Sequence, residues 1–295
     1  MNNLSGLMRP ARFLALVAAL FAAITAAPVL AEPNASDWGG TGEQTQVRLV
    51  SAVSATGALD TLRLGLHFRM DPDWKIYWRS PGPTGYPPEV DWSKSTGIGE
   101  VDFAWPAPER FKIFGMEAIG YKKEVVFPLG VALVRPGEPV SLRAHVSYLV
   151  CKEICIPGDA DLALDIPAGP ADATSFAAMI DRFRARVPIA AHLAGVSMEQ
   201  VVFRKLDGDA VSLRVAIRSD RRLLEPDLFA EGPPLAFFEA PQVQLSRDGR
   251  YAVITELGTG ATAEEIAATA LLLAGPQGGF YVGATLSPNG GDVMH

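Results

Sequence analysis

Val140-Ser141-Leu142-Arg143-Ala144-His145-Val146-Ser147-Tyr148-Leu149-Val150 alternates strictly between apolar and polar residues up to Tyr148. Val140, Leu142, Ala144, Val146 and Tyr148 fall on one face of an extended chain, and Ser141, Arg143, His145 and Ser147 fall on the other, the pattern of a half-buried strand. The same period recurs in Val47 to Val53, Leu62 to Met70 and Val125 to Val134. Between these runs stand pieces such as Ser80-Pro81-Gly82-Pro83-Thr84-Gly85-Tyr86-Pro87-Pro88, which continue neither strand nor helix. Short strands separated by Pro/Gly turns, without alternating helices, predict a mainly all-β chain built as an antiparallel β-sandwich.

After Ile166 the pattern breaks at Pro167-Ala168-Gly169-Pro170. Phe176, Met179, Ile180, Phe183 and Val187 then follow at helical spacing, predicting one helix over about Thr174 to Val187, with capping oxygens in Asp172 to Ser175 and Pro188 as its stop. Alternation returns in Val211 to Ile217, Leu235 to Phe238 and Tyr251 to Thr255, with a short helix near Ala263 to Ala268 opened by Thr262 and Glu265. The organisation expected is a first sandwich over 32–170, a connecting helix over 171–190, a second β-sandwich-like domain over 191–290 and a tail at 291–295. All five tryptophans and both cysteines lie in the first domain.

The start of the chain bears on compartment. Arg9 and Arg12 precede an uncharged apolar stretch from Phe13 to Val29, followed by Leu30-Ala31-Glu32. This reads as a secretory signal peptide, residues 1–31, cleaved after Ala31. Its removal takes away two arginines and no acids, moving the formal charge from −7 to −9. So acidic a chain, with no basic run, argues against nucleic acid as a partner. An apolar fraction of 48% supplies ample core, and 28 glycines with 23 prolines indicate many turns without reaching the level of a disordered chain.

The run ends in the only two cysteines, in Val150-Cys151-Lys152-Glu153-Ile154-Cys155-Ile156-Pro157-Gly158. In an oxidising compartment two thiols four positions apart are candidates to pair. As continuous strand their Cα atoms would stand roughly 13 Å apart at about 3.3 Å per residue, whereas a disulfide tolerates no more than about 7 Å. The chain must therefore turn near Val150, and Asp161 to Ile166 resumes the alternation beyond Pro157-Gly158. A structural staple is one reading, but so short a loop gives only ~2 kcal/mol in the chain-entropy model, against ~4 or more for a loop of a hundred residues. That weighs toward a redox-active pair.

A third reading makes the two thiolates a soft-metal site for Cu(I). A closed zinc site is a poor fit, since His67, His145, His192 and His295 form no local ligand motif. His145 and Ser147 read as polar-face residues rather than as activators of a thiol. No motif for any other nucleophile or for phosphate binding is present, and no cofactor is implied.

Tyr148 to Gly158, with Trp74-Lys75-Ile76-Tyr77-Trp78-Arg79-Ser80-Pro81-Gly82 and Gly120-Tyr121-Lys122-Lys123-Glu124-Val125-Val126-Phe127-Pro128, resembles the periplasmic N-terminal region of the DsbD/ScsB thiol:disulfide interchange proteins. The ScsB-type branch, associated with copper tolerance, is the nearer. The likeness extends into the second domain at Glu225-Pro226-Asp227-Leu228-Phe229. It implies an immunoglobulin-like redox domain in the periplasm that takes electrons from a membrane-embedded thiol donor and passes them to disulfide-containing substrate proteins, as a protein-disulfide reductase component. On that model Cys155 attacks the substrate disulfide and Cys151 resolves the mixed disulfide. It also suggests an aromatic cap over the pair, for which Phe111, Phe114 and Tyr121 are the candidates.

The chain departs from the DsbD pattern in three ways. The cysteine spacing is shorter, and Pro81-Gly82-Pro83 stands where an acidic third residue is expected. The sequence also ends at His295 without a transmembrane conduit or a thioredoxin-like domain, so a separate membrane protein is expected to reduce it.

Overall fold

The computed structural model describes residues 33–231, 236–260, 269–273 and 281–285. The expected signal peptide, the helix near Ala263 to Ala268 and the tail lie outside the described residues.

The strands, in chain order, are β1 (Thr45–Ser51), β2 (Thr61–Met70), β3 (Lys75–Tyr77), β4 (Glu89–Asp91), β5 (Ile98–Phe103), β6 (Glu109–Ile113), β7 (Met116–Lys122), β8 (Glu124–Leu133), β9 (Val140–Cys151) and β10 (Cys155–Ile166). They form two antiparallel sheets, β1-β2-β8-β5 and β10-β9-β3-β7-β6, with β4 also paired to β9. The apolar face of β9 meets the facing sheet, and Phe68 of β2 and Tyr148 of β9 touch edge to face across the gap, centroids 5.3 Å apart.

Strand β10 begins earlier than the alternation suggests, because Pro157 and Gly158 lie within it, opposite Leu149 and Tyr148. An edge strand tolerates the missing Pro157 N–H. Gly158 is required by close approach, since a Cβ there would sit 2.5 Å from the Tyr148 ring.

Helix α1 (Ala177–Arg184) is shorter than the expected Thr174 to Val187. It has no side-chain bond at its N-cap, Phe176, although Thr174 Oγ1 accepts from the Phe176 N–H at 3.2 Å. It ends at Arg184, four residues before Pro188, and Ala185 at its C-cap donates back to Asp181 O. Ile180 and Phe183 are buried against the outer face of the β1-β2-β8-β5 sheet, where Gly65 leaves room for Ile180.

The remaining strands are β11 (Ile189–Ala190), β12 (Val196–Lys205), β13 (Ala210–Ser219), β14 (Asp227–Ala230), β15 (Phe237–Phe238), β16 (Gln242–Leu245), β17 (Tyr251–Thr259), β18 (Thr269–Leu273) and β19 (Tyr281–Thr285). They make the sheets β12-β13-β17-β15, with β16 on β17, and β11-β19-β18-β14. Leu213, Val215, Ile217, Ala252 and Ile254 from the first share a core with Leu228 and Ala230 from the second. The all-β, antiparallel architecture expected from the sequence is thus present in both halves; the β11–β19 pair is parallel.

One buried polar contact gives the first sandwich a pH dependence. The His67 side chain on β2 is fully buried; its Nε2 donates to Glu124 Oε1 at 2.8 Å and its Nδ1 accepts from Arg48 Nε at 3.5 Å, which defines the neutral ring. Burial lowers its pKa to about 4, the bond to Glu124 opposing this only in part. Burial pushes the Glu124 carboxyl up, but its contacts with His67 and Arg69 outweigh that and hold it below its ordinary value.

Because the unfolded chain protonates histidine near 6.5 and the folded chain only near 4, stability should fall as pH drops through that window, by about 3 kcal/mol for His67 alone. The depressed Glu124 acts in the same direction, its contribution being lost as pH falls through its folded pKa. Melting followed from pH 7 to 4 should show the decline, and His67→Gln should flatten it.

Candidate redox site

Strand β9 ends at Cys151 and β10 begins at Cys155, with Lys152-Glu153-Ile154 as the turn, closed by Lys152 N–H donating to Ile154 O at 3.0 Å. Cys151 and Cys155 are opposite one another in the antiparallel register, with Cα atoms 4.2 Å apart, and are joined by a disulfide. Alternation settles which way Cys151 points. Val150 enters the core between the sheets, so Cys151, like Leu149, lies on the other face of the sheet.

That outer face carries a small apolar cluster of Tyr77, Phe111, Ile113, Ala118 and Cys151, with Leu149 and Cys155 partly buried against it. Each strand contributes by the same parity. Ile76 and Trp78 flank Tyr77 and point inward, and Ile119 and Tyr121 point away from Ala118. The outcome is an asymmetric pair: Cys151 has 0% of its surface exposed, while Cys155 is only partly covered.

Tyr77 is the polar member of the cluster. Its hydroxyl lies 3.0 Å from Cys151 Sγ and 3.1 Å from Thr84 O, able to donate to either, and 3.8 Å from Cys155 Sγ. Burial raises its pKa above the ordinary phenol value, so it remains a donor at neutral pH. The Pro/Gly loop that looked like a mere connector lies over this ring. A Cβ at Gly85 would come within 2.2 Å of it.

Residues 44–167 match the family model described as thiol:disulfide interchange protein DsbD, N-terminal. They form a DsbD-type N-terminal domain. Residues 186–273 match a domain of unknown function, DUF8393. Among solved structures, the N-terminal periplasmic domain of ScsB from Proteus mirabilis is similar in fold, at 23% identity and a TM-score of 0.68, over 87% of this chain and 99% of that one. No curated protein matches the chain.

Within the DsbD-type domain, the three aromatic residues expected over the cysteines are placed differently from one another. Phe111 belongs to the cluster around Cys151, 6.3 Å from the Tyr77 ring, with Lys75 Nζ and Lys122 Nζ over its face at 5.7 and 5.5 Å. Phe114 is 61% exposed at the β6–β7 turn. Tyr121 is in the core between the sheets, its ring against Phe127 and its hydroxyl donating to Pro106 O at 2.7 Å. Tyr77 and Ile113 were not anticipated, although the alternation of Ile76-Tyr77-Trp78 carries the signal for Tyr77.

Lys152 pairs with Asp73 at 3.4 Å, and His145 is turned toward Asp161 at 3.0 Å. A soft metal on the reduced DsbD-type domain would therefore rest on the two sulfurs. Among the described residues no three His, Cys, Asp or Glu side chains are grouped to hold an ion, and no helix is long and apolar enough to cross a membrane.

Proposed function

We propose that the chain is an exported, periplasmic thiol:disulfide interchange module in which Cys155 is the attacking thiol and Cys151 the resolving one. The observation that carries the assignment is the unequal burial of the two sulfurs, with the Tyr77 hydroxyl directed at the buried one. In the reduced form the Cys155 thiolate attacks a sulfur of a substrate disulfide and expels the other as thiolate. Cys151, as thiolate, then attacks Cys155 Sγ, closes the Cys151–Cys155 bond and releases the second substrate thiolate. Two electrons leave the module and the substrate gains two thiols. A dithiol on a membrane-embedded donor runs the same steps in reverse, attacking Cys155 and expelling Cys151.

In that reloading step Cys151 is the leaving group, and its departure is eased by a donor at its sulfur. Tyr77→Phe should therefore slow reduction of the disulfide by about tenfold, the scale of one hydrogen bond to a charged group, with little change in melting temperature. Stopped-flow reduction beside a thermal melt checks both. The proposal takes the chain as a signal peptide at 1–31, a redox domain at 32–170, a connecting helix at 171–190 and a second β domain at 191–290. The likeness to the ScsB branch makes copper-stressed cells the setting in which its substrates should be sought.

The direct test is the site of first attack. Oxidised protein mixed with reduced glutathione and quenched by alkylation should yield the glutathione adduct on Cys155 and the alkylated thiol on Cys151. An adduct found mainly on Cys151 would reverse the roles.

A further inference from the structure

The two strands that cover the disulfide also grip the second half of the chain, each with the residue next to its covering residue. On β6, Phe111 joins the cluster that holds Cys151, its ring 6.3 Å from that of Tyr77, while its neighbour Arg110 points the other way. Arg110 Nε donates to both carboxylate oxygens of Asp227, at 3.1 and 3.2 Å, and its Nη2 donates to Glu256 Oε1 at 2.6 Å and to the carbonyl of Leu228. Its guanidinium also lies 4.6 Å from the centre of the Phe229 ring.

On β3, Tyr77 touches Cys151, and Trp78, just past the strand's end, packs edge-on to Phe229 at 6.1 Å. Arg79 follows, forming a two-point ion pair with Glu231 at 2.5 and 3.0 Å. All these grips close on one short segment, β14 with Glu231 after it, and on Glu256 of β17.

The Arg110 cluster is not an exposed decoration. The Arg110 side chain is 12% exposed and that of Glu256 is 0%. Burial raises the Glu256 pKa to about 8, with Arg110 opposing, so at neutral pH it is mostly a neutral acid accepting from the guanidinium while Asp227 balances the charge. Buried polar groups tied this way fix one relative position of the elements they join, because any shift leaves charge unpaired in an apolar setting. What they fix here is β6, the strand that places Phe111 in the cluster around Cys151. Beyond β6 the hairpin turns at Phe114-Gly115 and is exposed, with no atom within 4 Å of where a Gly115 side chain would start. The tip therefore has little of its own to hold it down.

We propose that the second β domain serves as a brace for the cover of the disulfide, with Arg110 as the positioning residue. By holding β6 through β14, it sets how often Phe111 withdraws from the cluster around the disulfide to admit a partner's thiol, while Tyr77 stays at Cys151. The inference rests on the exchange reading of this site and assigns the second domain a part in it.

The test uses the full exported chain in its oxidised form, with dithiothreitol as the attacking thiol and alkylation as the quench. Arg110→Gln should be reduced about tenfold faster than wild type, by the opening-equilibrium argument that links local stability to access. Phe111→Ala, which removes the cover directly, should be at least as fast. Glu256→Gln keeps an acceptor for Arg110 and should stay within about twofold of wild type.

Hydrogen exchange across β9 and β10 should be unchanged in Arg110→Gln, showing that the cover has loosened and not the sheet. Equal rates for wild type and Arg110→Gln, with Phe111→Ala fast, would overturn the brace while leaving exchange at the disulfide intact. Equal rates for all three would overturn the cover as well. Should Arg110→Gln not fold, Arg79→Gln breaks the more exposed grip. A rate two- to threefold above wild type is expected from it, and a wild-type rate would again overturn the proposal.

Discussion

Cys151→Ala, expressed as the exported chain and recovered after acid quench and alkylation, should carry envelope proteins linked to it through Cys155, whereas Cys155→Ala should carry few or none. The expectation follows from where the sulfurs lie. Cys155 is only partly covered at the end of the hairpin, so it is the sulfur a partner disulfide can reach, and without Cys151 nothing resolves the mixed disulfide. The reciprocal variant leaves a thiol with no exposed surface, beneath Tyr77 and Phe111. A sulfur in such a place is out of reach of a partner's disulfide, although it stands beside Cys155 Sγ for the resolving step. Gel mobility with and without reductant separates the two variants, and digestion of the captured complexes identifies the linked partners. Equal trapping by both variants would remove the asymmetry on which the assignment rests.

The second large effect is structural and concerns Gly120. It lies on β7 opposite Tyr77, where β3 and β7 approach so closely that a Cβ would stand 2.0 Å from Ile76 O and 2.8 Å from Tyr77 Cα. Those are backbone atoms, so no rotamer change relieves the overlap; the strands must part. Gly120→Ala should destabilise the domain by about 3 kcal/mol, at the upper end of ordinary overpacking costs. That corresponds to a drop of roughly 10 °C in melting temperature for a domain of this size. Unchanged melting would mean that β3 and β7 are not paired as described.

These two cases also show what could and could not be read from residues alone. The alternation from Val140 to Tyr148 located β9, its polar face and the need for a turn before Cys155, because a half-buried strand leaves a local signature of period two. The start of β10 was hidden because Pro157-Gly158 looks like punctuation, and only the edge position of the strand and the Tyr148 ring beside it make that pair acceptable in a ladder. The β6–β7 hairpin was missed for a related reason. Its turn uses Phe114 and Gly115, both with positive φ, at 53° and 81°, where Asn-Gly would have announced it.

Phe111, Phe114 and Tyr121 look alike in sequence as apolar aromatics close together, yet strand parity and the turn send them to three different environments. The grip of Arg110 on Asp227 and Glu256 spans more than a hundred residues of chain, and no local pattern could reveal it.

The measurement that bears most directly on the account is the reduction potential of the Cys151–Cys155 pair, determined by equilibration of the full chain in dithiothreitol or glutathione buffers. A module that is reduced by one partner and reoxidised by another must lie between them, so a value of about −180 to −270 mV is expected, within the range of exchange proteins. A potential below about −300 mV, the range of structural bridges in exported proteins, would contradict an electron-relaying disulfide.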